Sequence, residues 1–121
     1  MKRILVVEDN PMIVKSLEFK LRQEGYEVLV AQDGRQGVEL MENNEIDLLL
    51  TDLMLPFVNG IQLIEQAKQK DPDLPIIVLS TSKQENIIMD AFNLGVEDFI
   101  TKPFNPNELS LRVKRSLRNA D

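Results

Sequence analysis

Five short apolar runs, at residues 4–7, 28–30, 46–50, 76–79 and 96–100, alternate with longer stretches of helical spacing. The runs are rich in Val, Ile and Leu, and those around Ile4, Leu48 and Ile76 are nearly continuous. Strands covered by helices on both faces of a parallel sheet read this way, because neither face meets water. Between the runs, Ile13, Val14, Leu17 and Leu21 form one helical stripe, and Ile61, Ile64 and Ala67 a shorter one. Gly25 stands where the first of these helices would end, and Asp71-Pro72 closes the other. Asn10-Pro11 sets a capping side chain before a proline at the first helical position. Asn105-Pro106-Asn107-Glu108 repeats that signal and adds a Glu three residues after the cap, as in a capping box. The expectation is an α/β fold of five β-then-α units, a doubly wound parallel sheet with helices on both faces. A length of 121 residues accommodates one such domain, spanning 1–121, and not two.

Composition then narrows the chemistry. The chain has no histidine and no cysteine, which excludes a thiolate nucleophile, a Ser-His-Asp triad, the usual zinc sites and a disulfide scaffold. A metal would have to sit on oxygen ligands, so Mg²⁺ or Ca²⁺ are the candidates. A net charge of −6 argues against sequence-independent nucleic-acid binding. The apolar start at Ile4 is cut by Glu8 and Asp9 before it reaches signal-peptide length, and no stretch has the apolar length of a membrane span. A cytoplasmic location is expected.

In an open doubly wound sheet, ligands bind beyond the carboxyl ends of the strands, where strand order reverses. The residues just after the apolar runs are therefore the ones to weigh: Glu8-Asp9, Asp52, Ser80-Thr81 and Lys102-Pro103. The second run leads into Ala31-Gln32-Asp33, which reads as an ordinary turn. Three carboxylates converging on one crevice repel each other unless positive charge joins them. Lys102 supplies one cation and a hard divalent ion would supply the rest, while the Ser80 hydroxyl would donate to an anionic oxygen. The combination suits a phosphoryl group, with an aspartate as acceptor. Taken singly, each residue has another use. Asp52 or Ser80 would serve a turn, Glu8-Asp9 would favour the positive end of the next helix, and Lys102 would be a surface lysine before a proline turn. It is their conjunction at four strand ends that points to a site.

Val7-Glu8-Asp9-Asn10, Thr51-Asp52-Leu53-Met54-Leu55-Pro56 with Gly60, Pro75-Ile76-Ile77-Val78-Leu79-Ser80 and Asp98-Phe99-Ile100-Thr101-Lys102-Pro103-Phe104 follow one another in a familiar order. Over essentially its whole length the chain resembles the receiver domain of two-component response regulators, in its chemotaxis-regulator-like, single-domain form. The resemblance implies a flavodoxin-like (βα)5 sandwich with strand order 2-1-3-4-5. It makes Asp52 the phosphoacceptor and assigns Mg²⁺ to Glu8, Asp9, Asp52 and the Met54 backbone carbonyl. Lys102 would pair with Asp52 and then with the phosphoryl group, and a cis Lys102-Pro103 peptide would aim it. Ser80 and Thr81 lie on the switch loop, and Phe99 would turn its ring inward with it. The implied partners are a sensor histidine kinase or histidine phosphotransfer protein, and a downstream effector protein or C-terminal effector domain.

Some positions depart from the family's pattern. Phe99 stands where Tyr is frequent and lacks a hydroxyl, and Leu55 replaces a more usual Met. Thr81 puts a β-branched side chain where Ala or Gly is usual and would crowd the site mouth. Met54 and Ser82 flank the path of a hydrolytic water, and an apolar Met54 implies a long-lived phosphoryl state. Glu97, Asp98, Glu108, Arg112 and Arg115 would supply ion pairs for a phosphorylation-dependent homodimer, whereas Ile87, Ile88 and Asp90 stand in the fourth-helix region where basic residues are expected. Lys114, Arg115 and Arg118 read as a solvated helix end. A phosphohydrolase of the haloacid-dehalogenase type would need an Asp where Met54 stands. A flavodoxin-like carrier would need a hydroxyl- and glycine-rich loop where Glu8-Asp9 stand. An inactive receiver used as a scaffold is disfavoured, because Glu8, Asp9, Asp52, Ser80 and Lys102 are all present.

Overall fold

Apart from one polar end residue each, the central strands are apolar because each face of the sheet has its own helical cover. The computed structural model describes residues 1–81 and 85–120. Strands β1 (Arg3–Val7), β2 (Glu27–Ala31), β3 (Leu48–Thr51), β4 (Ile76–Ser80) and β5 (Asp98–Thr101) form one parallel sheet in the order β2-β1-β3-β4-β5. They alternate with α1 (Pro11–Gln23), α2 (Gly34–Asn43), α3 (Gly60–Lys70), α4 (Glu85–Asn93) and α5 (Pro106–Ala120). On one face Ile4, Val6, Leu50 and Leu79 pack with Leu17 and Leu21 of α1 and Leu109 and Val113 of α5. On the other, Leu5, Val7, Leu49 and Val78 pack with Met41 of α2, Leu63 and Ile64 of α3 and Ala91 of α4. Alternate residues of one strand thus feed different cores, as the period of two in a strand requires.

Two apolar runs are longer than their strands. Ile46 precedes β3 and Val96 precedes β5, yet both pack on the α3 and α4 side of the core from the connecting loops. Hydrophobicity reports burial, and here burial extends past the ladder. The helix ends hold a second difference. Asn10 caps α1 as expected, its side chain accepting from Met12 and Ile13 amides at 3.0 and 3.3 Å. Gly25 follows α1 at φ +94°, a left-handed conformation that glycine adopts freely. Asn105 accepts from the Asn107 and Glu108 amides at 2.8 and 3.2 Å, but the Glu108 carboxylate turns to Arg112 at 2.9 Å instead of back to the cap. The reciprocal box is at α3, where Asn59 accepts from the Gln62 amide at 2.9 Å and Gln62 accepts from the Asn59 amide at 3.2 Å. Asp33, at the end of the expected turn, caps α2 by accepting from the Gln36 amide at 2.8 Å.

The α3 box closes the loop that leaves β3, so it stabilises the approach to the crevice. Asn59→Ala should lower stability to urea by about 1 kcal/mol with an unchanged denaturant slope. An unshifted midpoint would show that solvent serves the first turn of α3 equally well.

Candidate functional site

The parallel register brings the carboxyl ends of all five strands to one edge. Val7 pairs with both Ala31 and Thr51, and Ser80 pairs with Thr101. One further ladder bond fixes each following residue. The Glu8 amide donates to the Ala31 carbonyl at 3.0 Å, Asp52 to Val7 at 3.1 Å and Lys102 to Ser80 at 3.2 Å. Glu8, Asp52 and Lys102 are thereby set by the sheet rather than by free loops.

Glu8 and Asp52 are 1% and 7% exposed, while Asp9 lies open at the rim. Each of the three carboxylates offers an oxygen within 4.8 Å of the others. The Lys102 ammonium sits between the buried pair, 2.5 Å from Glu8 Oε1 and 2.6 Å from Asp52 Oδ2. Asp52 Oδ1 accepts from the Met54 amide at 3.0 Å, and Glu8 Oε2 from the Asn10 amide at 3.0 Å. Glu8 Oε1 is buried without an aligned hydrogen bond, so its contact with Lys102 is one of charge rather than of directed donation. The Lys102-Pro103 peptide is cis, as the resemblance implies.

These positions set the protonation balance. Burial pushes the Glu8 carboxyl above its ordinary value of 4.5, opposed by the Lys102 contact and the Asn10 amide and aided by the Asp52 charge. For Lys102, burial alone would lower the pKa. Its hydrogen bond to Asp52 and the negative charges of Asp52 and Glu8 outweigh it, and the net direction is upward from 10.5. One ammonium against three carboxylates leaves the cluster negative among the described residues. A buried carboxylate oxygen met by the Lys102 charge but by no aligned donor, beside two further oxygen donors, fits a hard divalent cation.

The other expected residues are placed as follows. Ser80 ends β4 and is 2% exposed, and Thr81 is exposed where the crevice opens between α1 and Pro103. Ser82 lies outside the described residues. The half-buried Phe99 ring packs beside Phe92 of α4, centroids 5.5 Å apart. Ile87 packs on the core. Asp98 is held within the chain, by Arg112 at 2.7 Å and Arg115 at 2.9 Å, and Arg112 also holds Glu108. Thr51, whose hydroxyl donates to the Asp52 carbonyl at 2.8 Å, carries no distinct signal in the sequence, because a Thr ending an apolar run looks like any strand residue. Arg35 of α2 and Phe57 of the β3–α3 loop, which meet as cation and ring, carry no local signal either.

A doubly wound sheet with a buried acidic crevice and a lysine at its switch point defines a narrow class of α/β proteins. The response regulator receiver domain profile matches residues 4–114, and the chain belongs to that family. It is 38% identical over 120 residues to the alkaline phosphatase synthesis transcriptional regulatory protein PhoP of Bacillus subtilis (strain 168), across 99% of this chain and 50% of that protein. The chain thus spans about half the length of this curated relative. A CheY-like response regulator receiver domain protein from Methanospirillum hungatei JF-1 superposes with a TM-score of 0.96 at 32% identity, covering 99% of this chain and 96% of the other. The signal receiver domain of an HD domain-containing protein from Pseudomonas fluorescens Pf-5 gives 0.93 at 27% identity, covering 98% and 96%. Among the described residues, no helix is long and apolar enough to cross a membrane.

Removing the central cation exposes the repulsion it holds down. Lys102→Met should destabilise the metal-free protein at pH 7 by about 3 kcal/mol, the scale for a broken buried ion pair. The raised Glu8 pKa favours the neutral carboxyl in the fold, so its protonation adds stability as pH falls through the folded value. The deficit of the variant should therefore shrink as pH falls from 7 toward the ordinary carboxylate range in denaturant titrations. A deficit that widens on acidification would contradict this balance.

Proposed function

We propose that this receiver domain, taken as the unit 1–121, is a phosphorylation-dependent switch whose phosphoacceptor is Asp52. The observation that carries the reading is the placement of the Asp52 carboxylate. It is buried, held by Lys102 at 2.6 Å, and adjoined by the oxygens of Glu8 and Asp9. An Asp52 oxygen attacks phosphorus on the phosphoimidazole of a sensor histidine kinase or histidine phosphotransfer protein. The new O–P bond forms as the N–P bond breaks, and the imidazole leaves with the electron pair. The absence of histidine from this chain supports a donor on another protein or domain.

Glu8, Asp9, Asp52 and the Met54 backbone carbonyl would hold Mg²⁺, which supplies charge neutralisation for the incoming phosphoryl oxygens. Lys102 releases part of its hold on Asp52 and pairs with the phosphoryl group. The Ser80 hydroxyl donates to a phosphoryl oxygen and draws its loop, with Thr81, toward the site. A phosphoryl group adds nearly two negative charges and three acceptors, enough to bias a two-state loop. Phe99, on the strand beside β4 and against Phe92, follows that loop and alters the α4–β5–α5 surface. The output is a downstream effector, joined to this domain or separate. The name of the Bacillus subtilis relative, a transcriptional regulatory protein, supports an effector of that kind. The protein works in the cytoplasm with soluble partners. A homodimer through the α4–β5–α5 surface would have to draw on Asp98, Arg112 and Arg115, which now pair internally.

Incubation with a small phosphodonor and Mg²⁺ should add one acid-stable, base-labile phosphoryl group by intact mass, and none without the metal. Asp52→Asn should abolish it. Equal labelling of the variant would reject Asp52. Met54 is 61% exposed and carries no group to orient water, so the phosphoryl form should persist well beyond seconds at neutral pH. A half-life of seconds would contradict that role for Met54.

A further inference from the structure

Leaving Asp52, the chain passes through residues 53–59 before α3, and one residue there adopts a backbone that L side chains avoid. Phe57 has φ +68°, in the left-handed region where a bulky residue is an outlier. Burial does not account for it, since Phe57 is 70% exposed. Its ring is covered instead by Arg35 in the first turn of α2, whose guanidinium carbon lies 4.2 Å from the ring centroid. That is a cation–π contact. Around it the two backbones touch. The Gly34 amide donates to the Pro56 carbonyl at 3.3 Å, and a Cβ on Gly34 would lie 1.8 Å from the Val58 carbonyl oxygen. At its other end the loop is tied to α3, the Gly60 amide donating to the Leu53 carbonyl at 2.9 Å. Between these ties sits Met54, whose amide donates to Asp52 Oδ1 at 3.0 Å.

We propose that Arg35 and Phe57 are positioning residues for Asp52: their contact latches the β3–α3 loop to α2 and so holds the Met54 main chain against the carboxylate. The latch offsets a strained Phe57 backbone, which would otherwise relax and carry the loop away from α2. Both side chains are exposed, so substituting either opens no core. The latch itself rests on the loop geometry alone. Its effect on metal affinity rests on the reading of the acidic cluster given above.

The test compares Phe57→Leu, Arg35→Gln, the double variant and Phe57→Tyr with wild type by amide hydrogen exchange in metal-free protein and by calorimetric Mg²⁺ titration. Each single variant should speed exchange of the Met54 and Gly34 amides about two- to fivefold, the scale of an exposed cation–π contact. The double variant should be no faster than the faster single one, Phe57→Tyr should match wild type, and the core Leu49 amide should not change. The Mg²⁺ dissociation constant should rise by a similar factor in the first three variants. Unchanged Met54 exchange in either single variant, multiplied effects in the double, or faster exchange with unaltered Mg²⁺ affinity would overturn the proposal. A wild-type protein that bound no Mg²⁺ would refute the acidic-cluster reading, while the exchange measurements still decided the latch.

Discussion

A lysine ammonium 2.5 Å from one buried carboxylate and 2.6 Å from another is what allows the crevice to exist. Glu8 and Asp52 come from neighbouring strands whose register leaves them no freedom to separate. The sheet therefore forces like charges together, and it also delivers the remedy, since Lys102 follows β5 on the same edge. The remedy is incomplete. One cation against three carboxylates leaves a crevice poised to take up more positive charge, and Glu8 Oε1 still lacks an aligned donor. A crevice of that charge gains stability when a cation arrives.

The rest of the fold serves that edge. Two separate cores clamp the sheet from both sides and so hold the strand ends in place. The loop after β3 is fixed by caps and close contacts with α2 and α3. At the β5 edge, Asp98 joins the strand to α5, its largely buried carboxylate held by the more exposed guanidinium groups of Arg112 and Arg115.

Much of this was legible in the sequence because it rests on periodicity. Continuous apolar runs marked the buried strands, and polar residues after them marked the crevice. The limits have physical causes. Ile46 and Val96 read as strand because burial, not pairing, sets hydrophobicity, and both reach the core from loops. Glu108 read as a capping-box partner, but Arg112 one turn away competes for its carboxylate and wins. The box at Asn59-Gln62 went unread although its spacing is as good, since no proline flags it. Arg35 and Phe57 are 22 residues apart in sequence and meet only when α2 and the β3–α3 loop pack, so no local pattern encodes them.

The central claim is that the carboxylates of Glu8, Asp9 and Asp52 form one cation site at the strand ends. Paramagnetic line broadening by Mn²⁺, an oxygen-seeking surrogate for Mg²⁺, tests it most directly on the isotopically labelled protein. At substoichiometric metal, broadening should centre on the amides of Glu8 to Asn10, Asp52 to Met54 and Lys102, and Mg²⁺ should reverse it. Broadening centred instead on the acidic residues at the opposite edge, Asp47, Asp71 and Asp73, would contradict the account.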